Sequence, residues 1–328
     1  MKTNVWLYYG KKLLMFILSV FVLSLIVFYM SRLSPGDPLV SYYGDRAEKM
    51  SPEEKAQTIE RLGLDEPIIV QYGIWVKNAI QGDFGISYKY KTDVIEVVET
   101  RLANTVWLGG VSFICTFILA LLLGVFCALR ENSMIDRGIC KLGIVLSCIP
   151  SFWLALILIL LFSVNLGLLP SSGAYDIGKS DSLLSRFTHL ILPVTSIILT
   201  HFWYYTYIIR NKLLQEIRQD YVLLAKSKGL TLSNIMWKHC LKNILPTYIT
   251  LIGISVPHMI GGTYIVEVVF SYPGLGTLAV ESAKYHDYNL LMIVCLLTAI
   301  VVIFFNSIAK ILSEKIDPRI KHPEVRDV

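Results

Sequence analysis

Charge is scarce in this sequence: only 17% of its 328 residues are Asp, Glu, Lys or Arg, where soluble domains carry about 25%. That shortage excludes an ordinary soluble enzyme and a disordered chain. The net charge of +5 is small and scattered, which excludes a face built to read nucleic-acid phosphates. Cysteine is just as uninformative for a scaffold. The six cysteines include no CxxC pair; Cys115, Cys127, Cys148 and Cys295 fall within apolar runs, and Cys140 and Cys240 at their edges. Neither a disulfide framework nor a zinc site is indicated. Internal repeats and low-complexity segments are absent too.

Long apolar runs are plentiful. Hydrophobic residues make up 54% of the chain, and a membrane span needs about 20 of them in sequence. Six stretches qualify, near Leu13–Met30, Val106–Leu129, Leu142–Val164, Leu190–Ile209, Ile244–Val266 and Leu290–Ala309. The pattern predicts an all-α, polytopic membrane protein with six transmembrane helices. The first run follows Lys11 and Lys12 but is too long for a secretory signal and lacks a small-residue cleavage site, so it reads as a retained span. Basic residues then set orientation. Lys2, Lys11 and Lys12 precede the first span. The loop from Arg210 to Asn243 carries Arg210, Lys212, Arg218, Lys226, Lys228, Lys238 and Lys242 against Glu216 and Asp220, whereas the loop from Glu267 to Asn289 is acidic. Both termini are therefore expected on the cytoplasmic side. Residues 32–105 form a helical extracytoplasmic insertion between spans one and two. The expected division is residues 1–31 as tail and first span, 32–105 as outer loop, 106–309 as a five-span core with a cytoplasmic loop at 210–243, and 310–328 as a cytoplasmic tail.

The outer insertion carries helix signals. Ser51-Pro-Glu-Glu54 reads as an N-cap with Pro52 at the first helical position and a capping-box Glu54, ending at Gly63. A second helix is expected from Pro67 to about Gln81, with Ile69, Tyr72, Trp75, Val76 and Ile80 on its apolar stripe.

Proton coupling has no group within the spans to carry it, although sodium can be held by backbone carbonyls alone. The spans hold no carboxylate for proton coupling, and there is neither a carboxylate pair nor an HExxH run for an intramembrane protease. Gly173-Ala-Tyr-Asp-Ile-Gly178-Lys179-Ser180 matches a phosphate loop letter for letter. It follows a transmembrane helix rather than a buried strand and faces outside, so it is read as a turn. Active transport would need an ATPase partner, and the cytoplasmic loop offers a surface for one. The run Tyr221–Lys228 is helical in pattern and stops at Gly229. A second run follows from about Leu232 to Asn243 with Ser233 as its cap, and Pro246 opens the fifth span. Two short helices hinged at a glycine suit binding by a soluble domain, while a basic stretch that only sets topology would look the same.

At this loop the sequence resembles the permease subunits of bacterial ABC importers in the peptide/nickel branch, and the likeness extends along nearly the whole chain. Arg32-Leu-Ser-Pro-Gly-Asp-Pro38 resembles that family's motif after span one. Leu62-Gly-Leu-Asp-Glu-Pro67, Gln71-Tyr72 and Gly82-Asp-Phe-Gly85 follow in the same order, then Ile149-Pro-Ser-Phe-Trp153, Leu168-Leu-Pro-Ser-Ser-Gly173, Phe270-Ser-Tyr-Pro-Gly-Leu-Gly276 and Asp317-Pro-Arg-Ile320. The resemblance implies a subunit of the bacterial cytoplasmic membrane that forms half of a translocation pathway with a second, similar permease. It implies two cytoplasmic ATPase subunits, which would bind the ATP and magnesium, and an external solute-binding protein. It makes Tyr221, Ala225, Lys226, Gly229 and Leu230 the ATPase-coupling segment. Leu223 and Leu224 depart from the family's Glu and Ala there, and the stretch from Gly229 to Pro246 is about one residue short. An aspartate at position 229 is expected to add a buried or crowded charge at this docking hinge.

The fifth span is the candidate pathway wall, with Ser255, Pro257, His258, Gly261 and Gly262, because proline and glycine loosen a span where it lines a cavity. His258 alone is a poor metal site, and the sequence cannot place His201 opposite it, so no metal ligand set is assigned. Short peptides and nickel, the latter as a chelate, remain level as solutes. The competing reading is a stand-alone six-span channel or secondary carrier; a structural or signalling membrane subunit is a third.

Overall fold

The computed structural model describes residues 5–33, 39, 43, 46–87, 89–180 and 182–316. The 34–38 part of the first motif and the terminal 317–320 motif lie outside them. Among the described residues there is no strand, only an isolated bridge between Ile86 and Asp93. Five helices are long and apolar enough to cross a membrane, and a bent helix pair is a sixth candidate. The helices are α1 (Val5–Leu33), a single turn Arg46–Lys49, α2 (Pro52–Leu62), α3 (Ile68–Ile80), α4 (Val94–Leu129), α5 (Met134–Ser147) and α6 (Ser151–Leu158) with a π-helical continuation Ile159–Asn165. There follow α7 (Leu183–Ile217), α8 (Asp220–Ser227), α9 (Leu232–Ile235) with a π-helical Met236–Cys240, α10 (Leu241–Val269), α11 (Leu275–Lys284) and α12 (Tyr288–Ile316). The described residues divide into two compact units.

The first unit gathers residues up to Thr105 with Pro273–Phe304. Helix α2 starts as the residues dictate: Ser51 accepts from the Glu54 N–H, the Glu54 carboxylate accepts from the Ser51 N–H at 2.9 Å, and Gly63 closes the helix at φ +62°. Helix α3 packs on α1 through Tyr72, which is buried, hydrogen-bonds Ser24 at 2.7 Å and lies edge-on to Phe28. The expected stripe on α3 is only partly right. Tyr72, Trp75 and Val76 turn inward, but Ile69 and Ile80 point out, because α1 covers a face narrower than the run of apolar residues.

A turn at 85–93 is tied to α11 and α12 by polar contacts within this unit. Ser87 Oγ donates to Asp287 at 2.5 Å, and Glu281 accepts from Lys89 at 2.8 Å and from Tyr90 at 2.6 Å. Burial pushes the Asp287 carboxyl up despite the Ser87 bond. Burial also works against the Glu281 carboxylate, yet its Lys89 and Tyr90 partners hold it below its ordinary value. The Pro273 carbonyl accepts from Asn104, and Leu275 N–H donates to Thr105, so the loop motif from Phe270 to Gly276 is anchored at its second half.

The second unit comprises Val106–Tyr272 and the described residues from Phe305 onward. Helix α7 is its axis, with a buried file that includes Ile197, Tyr205, Ile209 and Leu213. Phe117 stacks obliquely on Tyr205, with ring centroids 4.7 Å apart, and its carbonyl accepts from the Tyr248 hydroxyl. Where helices come closest the residue is glycine. A Cβ on Gly253 would lie 2.1 Å from the Ala309 Cβ, and one on Gly124 would lie 2.8 Å from Ile209. Small residues let apolar helices approach closely where lipid supplies no hydrophobic drive. Replacing Gly253 by Val should therefore destabilise this unit by about 1–3 kcal/mol through overpacking. The thermal transition of the detergent-solubilised protein would report it, and adding Ala309→Gly should recover part of the loss.

Two expected spans take a different form. The third, 142–164, is not one straight helix: α5 and α6 meet at 102°. Pro150, in extended conformation as the N-cap of α6, cannot continue the ladder of α5. The fifth does not open at Pro246. An unbroken helical path runs from Leu232 to Val269, with Pro246 and Pro257 inside it. The π-type bond from Leu241 N–H to Met236 O absorbs the change of register.

Candidate functional site

The loop after α7 folds as one tight helical corner. Helix α8 ends in a Schellman motif: Leu230 N–H donates to Ala225 O at 3.2 Å and Gly229 N–H to Lys226 O at 2.9 Å. That closure needs a left-handed residue, and Gly229 supplies it at φ +83°. Helix α9 is capped by Thr231, whose hydroxyl accepts from Asn234 N–H, so the expected cap Ser233 is displaced by two residues. Val222 and Ala225 of α8 are buried with Ile235, Met236 and Cys240.

Tyr221 fixes the corner to α7. Its hydroxyl donates to Glu216 at 2.7 Å and lies 3.6 Å from the Cys240 sulfur, while Asn243 donates to the same Glu216 oxygen. Burial pushes the Tyr221 phenol up, and the Glu216 carboxylate adds to the shift, so the hydroxyl stays a donor. The expected coupling residues are thus brought together with distinct parts. Tyr221 and Ala225 hold the corner from inside, Gly229 makes the turn, and Lys226 is exposed. Leu230 is 37% exposed. Nothing lies within 4 Å of a Cβ added at Gly229, so an aspartate there meets no crowding within this chain.

The outer side of this corner carries large apolar side chains among exposed lysines, Lys226, Lys228 and Lys238. Leu223 and Leu224 are 62% and 58% exposed, and Trp237 is 47% exposed. The two leucines are the positions that depart from the family pattern. Their signal in the sequence is periodicity: Val222 and Ala225 take the buried face, leaving the leucines outside.

Above this corner sits an ion pair that sequence reasoning missed. Arg210 donates from Nε to Asp136 Oδ1 at 2.7 Å and from Nη2 to Oδ2 at 2.6 Å. Asp136 is 2% exposed and also accepts from Asn132 N–H. It joins the start of α5 to α7. A capped acid three residues after Ser133 was the available signal, but its partner is 74 residues away.

On α10 the expected wall residues separate. Ser255 is buried, with its hydroxyl donated to Ile252 O. His258 and Gly261 are exposed, in register with exposed Ile254, Ile265 and Val268. The alternating steps of four and three along this series define one seam of the helix. Gly262 lies beneath the imidazole of His201, whose Cε1 would be 2.9 Å from an added Cβ. The loop from Gly173 to Ser180 is a turn, as expected. Gly173 donates its N–H to Phe270 O, and Lys179 pairs with Asp176 rather than facing a phosphate cradle.

Comparison with known proteins finds relatives along nearly the whole chain. The family model for the binding-protein-dependent transport system inner membrane component covers residues 120–322, and the N-terminal membrane-component model of the same systems covers residues 8–109. The oligopeptide transport system permease protein AppB of Bacillus subtilis (strain 168) is 37% identical over 96% of this chain and 99% of its own length. The metal-staphylopine import system permease protein CntB of Staphylococcus aureus (strain NCTC 8325 / PS 47) is 31% identical over 92% of this chain and 93% of its own. Among solved structures, an inward-facing MetNI methionine ABC transporter chain superposes with a TM-score of 0.56 at 17% identity, covering 68% of this chain and 97% of the other. A bacterial ABC transporter that imports alginate gives a TM-score of 0.55 at 15% identity, covering 80% and 98%. The five long apolar helices, the bent pair and both family matches give one conclusion: the chain belongs to the inner-membrane permease components of binding-protein-dependent transport systems and is a multi-pass membrane protein.

Proposed function

We propose that this chain forms half of the translocation pathway of an ATP-driven importer for short peptides or for nickel carried as a chelate. The observation that carries the reading is the helical corner at 220–240, with its exposed leucines, tryptophan and lysines. It presents Leu223, Leu224 and Trp237 outward, and its second helix continues without a break into α10. A push on the corner is therefore a push on the helix that bears His258 and Gly261. Two cytoplasmic ATPase subunits would seat on that corner and supply the ATP and magnesium. A second permease would face the α10 seam, and an external binding protein would deliver solute. Both termini then lie in the cytoplasm, with residues 32–105 outside and the core at 106–309. Peptide names among the relatives favour peptides as the solute; CntB supports the metal chelate.

Solubilisation of the tagged chain in mild detergent from its own cells should co-purify an ATPase whose turnover rises with binding protein and solute. A solitary channel or carrier would purify without one and move solute with ATP absent. That result would sink the importer reading.

A further inference from the structure

Helices α1 and α3 touch along one edge and part beside it. The contact is made by Tyr72, whose hydroxyl is hydrogen-bonded to Ser24 and whose ring lies 5.4 Å from Phe28. Next to that contact the two helices leave a cleft of about 330 Å³, with Leu25, Ile26, Phe28 and Tyr29 of α1 on one wall and Ile69 and Tyr72 of α3 on the other. Sites for small molecules have volumes of this order.

The walls decide what can fill the cleft. Water settles in a cavity only where several polar groups meet it. This lining is apolar apart from two tyrosine hydroxyls, one of which is already bonded to Ser24. Left empty, the lining would forgo its dispersion contacts. A helix from a neighbouring subunit is too thick to enter, since one turn of a cylinder about 10 Å across fills about 420 Å³. The surrounding medium supplies the remaining occupant. Helix α1 is long and apolar enough to cross a bilayer, and it exposes Leu14, Leu18 and Val22. Helix α3 exposes Ile69, Val70, Ile74 and Ile80. Both helices are apolar on the faces they turn outward, so the cleft opens into hydrocarbon and not into water. The same medium accounts for Ile69 and Ile80, which α1 leaves uncovered.

Charge stands beside the cleft where α1 ends. Arg32 lies one turn beyond Phe28 on the same face of the helix, in the last turn, with its guanidinium 5.1 Å from the centre of the Phe28 ring. Tyr72 and Trp75 also pack against Phe28, and such aromatic rings are enriched at the headgroup boundary. An arginine near the end of a span reaches that boundary, where its planar fork pairs with phosphate oxygens. We propose that the cleft between α1 and α3 seats one acyl chain of a membrane phospholipid, whose phosphate is met by Arg32. The seated chain completes the packing of α3 on the span, whatever solute the transporter carries.

The test uses the complete transporter in detergent micelles, with phosphatidylglycerol added at rising mole fraction and carrying a photoreactive diazirine near the end of one acyl chain. Peptide mapping reads where the label lands. It should concentrate on residues 25–30 and 68–72, which line the cleft, and saturate at low mole fraction. The exposed stretch around Leu14 and Leu18 should label weakly and in proportion to the lipid added. Ile69→Trp and Ile26→Trp fill the cleft from opposite walls at exposed positions, and each should abolish the preference. Arg32→Gln should raise the mole fraction for half-saturation about tenfold, the size of one charge-assisted hydrogen bond, and Arg32→Lys should recover part of that loss. Cleft labelling no stronger than that around Leu14, or unchanged in both tryptophan variants, would overturn the inference. Label that reaches the cleft in the isolated chain but not in the assembled transporter would give this surface to the second permease and overturn it equally. Half-saturation unmoved in Arg32→Gln would overturn the phosphate contact.

Discussion

Gly229→Asp should cut solute uptake by more than about tenfold while the chain still inserts in the membrane at its normal level. Two effects are in play, and they differ in size. A non-glycine residue at φ +83° pays about 1–2 kcal/mol, less for Asp and Asn, which tolerate the left-handed region. The turn is exposed and open, so the aspartate meets no clash inside its own subunit. Its charge would instead enter the corner that the proposed ATPase partner covers, near Leu223, Leu224 and Trp237 and beside the exposed Lys226 and Lys228, where drying a charge costs several kcal/mol even when part of it is compensated. Each 1.4 kcal/mol is about a tenfold change in an equilibrium constant, so the charge outweighs the strain. The comparison that separates them is a set of three variants at 229. Asn should lose little, Ala somewhat more through the backbone, and Asp most. Uptake in Gly229→Asp equal to that in Gly229→Asn would remove the docking role of this corner.

Local features were legible in the sequence because their causes are local. The capping box at Ser51–Glu54, the stop at Gly63 and the Schellman glycine at 229 each depend on residues within one turn, and each stands where composition placed it. The apolar runs were legible for the same reason, since a bilayer imposes length and hydrophobicity one helix at a time. What escaped is non-local. The break at Pro150 lies in a run as apolar as any other span, and a proline there reads equally as a kink, a start or a turn. Pro246 invited the opposite error: it resembles a helix opening, yet the π-helical Met236–Cys240 carries the helix through. His201 and Gly262 meet only because α7 and α10 pack together, and Asp136 finds Arg210 for the same reason. Periodicity names the face of a helix but not the residue on the next helix that meets it.

Asp136→Ala should lower the stability of the permease by about 3–5 kcal/mol, the usual cost of removing one partner of a buried ion pair. Most of that loss would come from what is left behind. Arg210 has Nε and Nη2 committed to the carboxylate, and with Asp136 gone its charge would stay at a site only 14% exposed, with Asn211 still accepting from Nη1. The Asn132 N–H would lose its acceptor as well, and without the Arg210 fork the start of α5 is unfastened from α7. Arg210→Met, combined with Asp136→Ala, removes the stranded charge, so the double variant should be more stable than Asp136→Ala alone. Thermal unfolding of the solubilised complex, run as a double-mutant cycle, measures this directly. Simple additivity of the two losses would mean that the pair is not coupled and that α5 is held to α7 by packing alone, through contacts such as Gly143 against the Trp203 ring. Strong coupling would make the Asp136–Arg210 fork the fastening that keeps the bent third segment in place, one helix away from the corner on which an ATPase would push.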